Sequence, residues 1–103
     1  MSEIEEKILA DKPANLYRGI EGVGGRIKVT IKSIIFTPHA FNIQKVVTEF
    51  HISSIKKIER ANSLFFIKNK MIVILESGVV HKFVVSGRES LIDTIEEQMK
   101  ACK

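Results

Sequence analysis

The side chains best suited to hold a metal ion or attack a substrate are three histidines and one cysteine. They are His39, His51, His81 and Cys102. No two of these histidines have the i, i+4 spacing of a helical ligand pair, and a lone cysteine can form neither an intrachain disulfide nor a cysteine-based zinc site. His51 and His81 also fall within predicted strands, where they are ordinary strand residues. We therefore expect no metal and no cofactor.

Other catalytic patterns are missing as well. The serines form no Gly-x-Ser-x-Gly elbow. The glycine-rich stretch 19–25 lacks the Gly-Lys-Ser/Thr ending of a phosphate loop and joins two predicted strands, so we interpret it as a hairpin turn whose glycines permit positive φ. The carboxylates between residues 12 and 88 show no evident pairing. This predicts a binding module that is not an enzyme and has no small-molecule substrate.

The charge distribution points to one kind of binding. Residues 1–11 carry a net charge of −3 and residues 89–103 a net charge of −2, whereas residues 12–88 carry +9. A basic body favours anionic partners, although lysines also solvate outer strand faces and protect edges from aggregation. The candidate anion-binding or lipid-binding residues lie on the first predicted hairpin and just after it: Arg18, Arg26, Lys28 and Lys32.

A second candidate is an apolar segment flanked by Lys68 and Lys70. It consists of Leu64, Phe65, Phe66 and Ile67. Alternate side chains of a strand point in opposite directions, so four consecutive apolar residues cannot all face one interior. We expect one, and only one, of Phe65 and Phe66 to be deeply buried within the monomer, with the other exposed or in a contact between chains. The alternative is that both pack within the chain, one of them under a loop.

Short strands separated by turn residues must position these side chains. Residues 26–31 alternate strictly, with Ile27, Val29 and Ile31 on the face expected to be buried. Residues 71–75 are apolar at nearly every position, which suggests a strand covered at least in part on both faces. About seven strands are predicted, at 16–20, 26–31, 33–37, 47–52, 56–60, 71–75 and 79–85.

The apolar period becomes helical after residue 86 and predicts one amphipathic helix over 87–101. Ser86 and Glu89 match a capping box, with Ser86 as the N-cap. Seven antiparallel strands and one helix form a mainly β barrel or sandwich closed by that helix. The predicted core consists of Ile27, Val29, Ile31, Ile34, Phe36, Ile52, Ile55, Ile58, Ile72, Ile74, Phe83, Val85, Leu91, Ile95 and Met99.

Length and composition set the broad class. The 103 residues allow one domain, 1–103, with residues 1–6 as a candidate disordered segment. The apolar share of 45% supports a packed core, and no apolar run approaches the ~18 residues of a membrane span. The acidic start has no signal-peptide core. We expect a cytoplasmic protein, with a peripheral position on a membrane as a second option.

Six stretches, in order along the chain, narrow the fold further. They are residues 14–19, 24–30, 33–36, 41–44, 49–55 and 82–88. As an ordered set they resemble the GRAM family of pleckstrin-homology-like domains, over about residues 6–99. The resemblance implies a seven-stranded pleckstrin-homology-like barrel closed by a helix, and a role in protein interaction or membrane targeting. Small GRAM proteins often place a Gly/Pro-containing loop where this chain has the apolar stretch 63–68.

Two kinds of partner follow from these candidates. The apolar segment 64–67, or an open strand edge, predicts a protein-interaction or self-association module. The alternative is targeting to an anionic lipid surface through the basic hairpin, since lipid-binding pleckstrin-homology domains hold inositol phosphates with basic residues on their first two strands. We favour the protein partner because the hairpin has no lysine at its tip. No nucleic-acid partner is expected, since no aromatic stacking face is interleaved with lysines.

Overall fold

The computed structural model describes residues 7–18, 21–39, 46–63 and 67–102. The strands are β1 (Ile8–Arg18), β2 (Glu21–Thr30), β3 (Ser33–Pro38), β4 (Thr48–His51), β5 (Ile55–Ser63), β6 (Ile67–Leu75) and β7 (Val80–Val85). A 3-10 turn over Ile52–Ser54 links β4 to β5, and the helix α1 covers Arg88–Ala101. The predicted fold class, seven antiparallel strands followed by a C-terminal helix, is confirmed. The expectation for residues 1–6 lies outside the described residues.

The strands form one antiparallel sheet in the order β4-β3-β2-β1-β7-β6-β5. This sheet curls back on itself. The ring of Phe50 on β4 stacks on the ring of His81 on β7, with centroids 4.7 Å apart, although three strands lie between β4 and β7 in the sheet. Further ring contacts join His81 to Phe83 and Phe83 to Phe36. The two halves of the sheet thus enclose one core, as in a sandwich.

The β1–β2 hairpin is longer than the sequence indicated. Its pairing continues until Arg18 lies opposite Glu21, so the glycines of residues 22–25 lie inside β2 and not in a positive-φ turn. Gly25 serves a close approach instead. A Cβ at this position would collide with the backbone of Thr37 on β3, so only glycine lets the two strands come this near.

Apolar side chains from every strand and from α1 fill the interior. The predicted core residues that are buried are Ile27, Val29, Ile34, Phe36, Ile52, Ile55, Ile58, Phe83, Val85, Leu91 and Ile95. Buried residues that the sequence did not predict are Ala14, Leu16, Val23, Phe50, Met71, Val73, Leu75 and Ile92. The core therefore has the expected position, with a different contribution from the late strands.

Two core predictions fail at the ends of elements. Ile31 is 43% exposed, because β2 ends at Thr30 and the chain turns before the alternation can continue. Met99 is only partly buried and packs against the margin of the core near the end of α1. The prediction that both residues belong to the core is wrong for Ile31 and holds only in part for Met99.

The predicted core face of β6 is also wrong. Met71, Val73 and Leu75 are buried, and the alternation of the strand therefore directs Ile72 and Ile74 outward, where they are half-buried. A run that is apolar at every position carries no alternation, so its sequence does not reveal which face turns inward. The consequence is an apolar outer face on this strand.

The start of α1 is held differently from the predicted capping box. Gly87 is the N-cap, in the left-handed region with φ 71°, and no side chain among the described residues caps the helix, so Ser86 does not have that role. The Glu89 carboxylate instead accepts hydrogen bonds from Nε of Arg60 at 2.9 Å and Nε of Arg88 at 3.0 Å. Charged donors bind a carboxylate more strongly than a neutral backbone N–H does.

Arg88 fastens the start of α1 to the β5–β6 hairpin. Only 7% of the residue is exposed, and Nη1 donates to the carbonyl oxygens of Ala61 at 2.9 Å and Lys70 at 3.4 Å. With Glu89 as its counter-ion, the buried guanidinium has both charge and hydrogen-bond partners, as burial requires. The helix that follows places Leu91 and Ile95 fully inside the core.

Replacing Ile95 with Ala should lower the free energy of unfolding by ~2–5 kcal/mol, because it leaves a cavity in a fully buried position. Ile31→Ala is the matched control, since the same atoms are lost from an exposed position, and it should change stability by no more than about 0.5 kcal/mol. Urea denaturation of both variants measures the difference. Equal effects would show that the core does not lie where the structure places it.

The hydrogen bond from Arg60, together with that from Arg88, holds the pKa of the Glu89 carboxyl below its usual value. A carboxyl with a lowered pKa in the folded state stabilises the protein above its unfolded-state pKa, and this contribution is lost as pH falls through the folded-state pKa. Glu89→Gln should therefore be less stable than the unmodified protein at about pH 7, with the difference shrinking below about pH 4. Urea titrations across this range test the sign. A difference that stays constant or grows on acidification would contradict it.

Candidate functional site

The basic hairpin places Arg26 and Lys28 together on the outer face of β2. Arg26 is already engaged there: Nε donates to Oδ1 of Asp11 at 2.7 Å, and Nη2 donates to the carbonyl oxygen of Asp11 at 3.3 Å. Asp11 also lies directly opposite Lys28 in the β1–β2 register. One carboxylate thus offsets part of the positive charge that an anionic ligand would need.

The other two residues of the predicted anion site do not join this pair in the described structure. Lys32 lies in the turn after β2 and is exposed, so it does not continue the strand face as expected. Arg18 ends β1, and its side chain lies outside the described residues. Of the three candidates whose side chains are described, Arg26 and Lys28 are brought together and Lys32 is not.

The predicted apolar segment 64–67 falls mostly outside the described residues. Residues 64–66 are not described, and neither is the side chain of Ile67, whose backbone begins β6 opposite Ser63. The expected division between Phe65 and Phe66 therefore stays a prediction.

A different apolar surface lies on the outer side of three neighbouring strands. Its members are Ile72 and Ile74 on β6, Val80 and Val84 on β7, and Tyr17 on β1, which we call the outer apolar face. The residues flanking Ile72, Ile74 and Val84 are buried, as is Leu16 beside Tyr17, so strand alternation places these four on the opposite side. Val80 lies on the same side of β7 as Val84, four residues away. In the register, Ile74 lies opposite Val80. Tyr17 and Ile72 lie on either side of the same residue of β7, Lys82.

The outer apolar face is open to solvent. Tyr17 is 40% exposed and Val80 is 47% exposed, while the remaining three members are half-buried. Val79, in the turn before β7, is also exposed, at 49%. Single exposed apolar residues are ordinary on protein surfaces, but a continuous group on adjacent strands is typical of a contact site.

Lysines accompany this surface. Lys82 is exposed and lies on β7 between Ile72 and Tyr17 in the register. The Lys70 ammonium lies 6.0 Å from the centre of the Tyr17 ring, a cation–π distance. At the β5 margin, Lys57 pairs with Glu59 at 3.0 Å. The described charges around the outer apolar face are therefore positive in excess.

His81 lies on the inner side of the same strand and is part of the packing. Its ring is parallel to that of Phe50 within 5°, and burial lowers the pKa of the imidazole. His51 ends β4 and is exposed. Among the described residues, no three side chains of the metal-ligating types lie together, and no helix has the length and apolar composition to cross a membrane.

Solved structures with the same arrangement of strands and helix identify the fold. The C-terminal domain of an unknown protein from Leishmania infantum matches with a TM-score of 0.79 and 15% identity, over 91% of this chain and 84% of that chain. The N-terminal PH domain of human ARAP2 matches with a TM-score of 0.73 and 14% identity, over 99% and 87%. The chain has a pleckstrin-homology-like (PH-like) fold.

Another PH-like match is the complex of the PDZ-RhoGEF DH/PH domains with GTPγS-activated RhoA, with a TM-score of 0.73 and 10% identity. The match covers 95% of this chain but only 31% of that one, so this chain spans about a third of the length of the chain it matches. No protein-family model and no curated protein matches the sequence. Structural matches at identities of 10–15% show the fold alone, and function has to be argued from the residues of the site.

Sequence reasoning missed the outer apolar face, although one signal for it was present. The uninterrupted apolar run over 71–75 predicted a strand covered on both faces, and the second cover is not part of the described chain. Tyr17, Val80 and Val84 could not be added from sequence, because their proximity depends on β1 pairing with β7 across more than sixty residues of chain.

The Asp11–Arg26 pair yields a test of the lipid hypothesis. The unmodified PH-like domain should pellet only weakly with vesicles of an acidic phospholipid, because Asp11 competes for Arg26. Asp11→Asn should increase pelleting by up to about fivefold at low salt, the factor that matches ~1 kcal/mol for an exposed ion pair. Glu49→Gln, the same charge change on the outer side of β4, is the control. Strong pelleting of the unmodified protein, lost in Arg26→Ala/Lys28→Ala, would contradict this.

Proposed function

We propose that this PH-like domain is a non-enzymatic binding module that takes a segment of another protein on its outer apolar face. The observation that carries the proposal is a group of exposed or half-buried apolar side chains on three adjacent strands: Ile72, Ile74, Val80, Val84 and Tyr17. Removing such a surface from water stabilises a complex in proportion to its apolar area, at roughly 25 cal/mol per Å² before the costs of association.

The dimensions of the surface suit a segment better than a whole domain. Neighbouring strands lie about 4.8 Å apart, so β1, β7 and β6 together span roughly 10–14 Å. This width matches the ~10 Å diameter of one helix or a short extended peptide. A partner lying along the strands would contact Ile74 and Val80 at one end, Ile72 and Tyr17 in the middle, and Val84 at the other end.

Pairing along a strand edge has less support. β5 is one edge of the sheet, and its exposed side chains include Lys56, Lys57 and Arg60. Its register with β6 also shifts between Ile55 and Lys57, as in a bulge. Charged side chains and bulges are the usual means by which proteins prevent edge pairing.

Two finer assignments belong to the same proposal. We assign the chain to the GRAM branch of PH-like domains, on the ordered stretches of its sequence. The PDZ-RhoGEF DH/PH domains, which match this fold, form a complex with RhoA. By analogy, this chain would also belong to a protein that binds another protein. We place it in the cytoplasm. Anionic-lipid targeting through the hairpin is the alternative, and the vesicle experiment distinguishes it from protein binding.

Turnover that disappears in His39→Ala, His51→Ala or His81→Ala would overturn the non-enzymatic assignment.

Selection from a displayed random-peptide library on the immobilised protein tests the docking face. We expect peptides that contain several apolar residues to be enriched on the unmodified protein and to lose at least about tenfold in affinity for Ile74→Ser, because a polar side chain replaces an anchor. Ile35→Ser is the matched control: this isoleucine is also half-buried and outward-facing, but on β3. Equal binding to Ile74→Ser and unmodified protein, or equal loss in both variants, would contradict the proposed face.

A further inference from the structure

We propose, building on the proposed function, that the bound segment carries a carboxylate among its apolar side chains and that Lys82 is the residue that recognises it. The geometry on which this depends is the position of Lys82 inside the outer apolar face and not at its rim. Val80 and Val84 flank it along β7, while Ile72 and Tyr17 lie opposite it on the two neighbouring strands.

A partner that covers these four apolar side chains must also cover the ammonium group between them. An ammonium removed from water without a counter-ion is strongly unfavourable, whereas a carboxylate aimed at it restores the charge and hydrogen-bond balance. Lys82 therefore turns a general apolar surface into a selective one. A purely apolar segment is disfavoured, and a segment with one central Asp or Glu is accepted.

The described carboxylates of the chain do not supply this counter-ion. Glu59 is nearest in the register, but β6 lies between its strand and that of Lys82. The Cα atoms of Glu59 and Lys82 are therefore about 9–10 Å apart. Its carboxylate is also held by Lys57 at 3.0 Å. Lys70, above the Tyr17 ring, adds a second positive charge beside the site. The charge of the surface thus complements an acidic partner.

The same charge pattern disfavours a second copy of this chain as the occupant. If two outer apolar faces packed against each other about a two-fold axis, Lys70 and Lys82 of one copy would lie close to the same lysines of the other copy. Like charges in such a contact repel.

The test uses the displayed peptide library with three variants of the full chain. On the unmodified protein we expect enriched peptides to contain one Asp or Glu flanked by apolar residues. On Lys82→Met the acidic preference should disappear while apolar peptides are still enriched, and on Lys82→Glu it should change to Lys or Arg. Lys32→Glu, an exposed lysine in the turn after β2, changes the net charge equally and should keep the acidic preference.

Affinity measurements on one enriched peptide make the test quantitative. Replacing its acidic residue with the amide should weaken binding to the unmodified protein about tenfold or more and leave binding to Lys82→Met unchanged, which isolates the pair as a double-mutant cycle. An acidic preference that persists in Lys82→Met, or that Lys32→Glu abolishes, would overturn the assignment of Lys82. No enrichment of any peptide, or enrichment indifferent to Ile74→Ser, would instead contradict the proposed function itself.

Discussion

Every strand of this fold has two faces, but the described residues enclose a single interior. That constraint is most acute at β6, where Met71, Val73 and Leu75 turn inward and leave Ile72 and Ile74 on the outside. The helix α1 cannot cover them, because its apolar residues Leu91, Ile92 and Ile95 are used to close the core. A strand that is apolar on both faces in a two-layer fold therefore needs a cover from elsewhere.

The lysines around that surface have two roles that do not conflict. In the free protein they hydrate the apolar sheet face and disfavour its association with a second copy of the chain. In a complex, a lysine surrounded by apolar contacts becomes a selective feature, because it must be paired once water is excluded. At the β1–β2 hairpin, by contrast, Asp11 and Arg26 pair with each other, so both exposed charges are less available to a ligand.

The sequence predicted what depends on local pattern. The alternation of Ile27 and Val29, the turn before Val79 and the helical period after residue 86 all match the structure. It failed where pattern is absent or overridden: the β6 run has no alternation to read, and Ile31 follows the end of its strand. The predicted capping box does not form, because the Glu89 carboxylate binds Arg60, which is distant from it in sequence. Contacts of this range, like the pairing of β1 with β7 that completes the outer apolar face, become visible only once the sheet order is known.

The most direct measurement of the central claim is a map of amide chemical shifts. An isotope-labelled sample of the full chain, titrated with an enriched acidic-apolar peptide, reports each backbone position in turn. The account predicts that the largest shift changes cluster on Ile72, Ile74, Val80 and Lys82, with little change along α1 and on β3. Changes concentrated at Arg26 and Lys28, or along the helix, would contradict it.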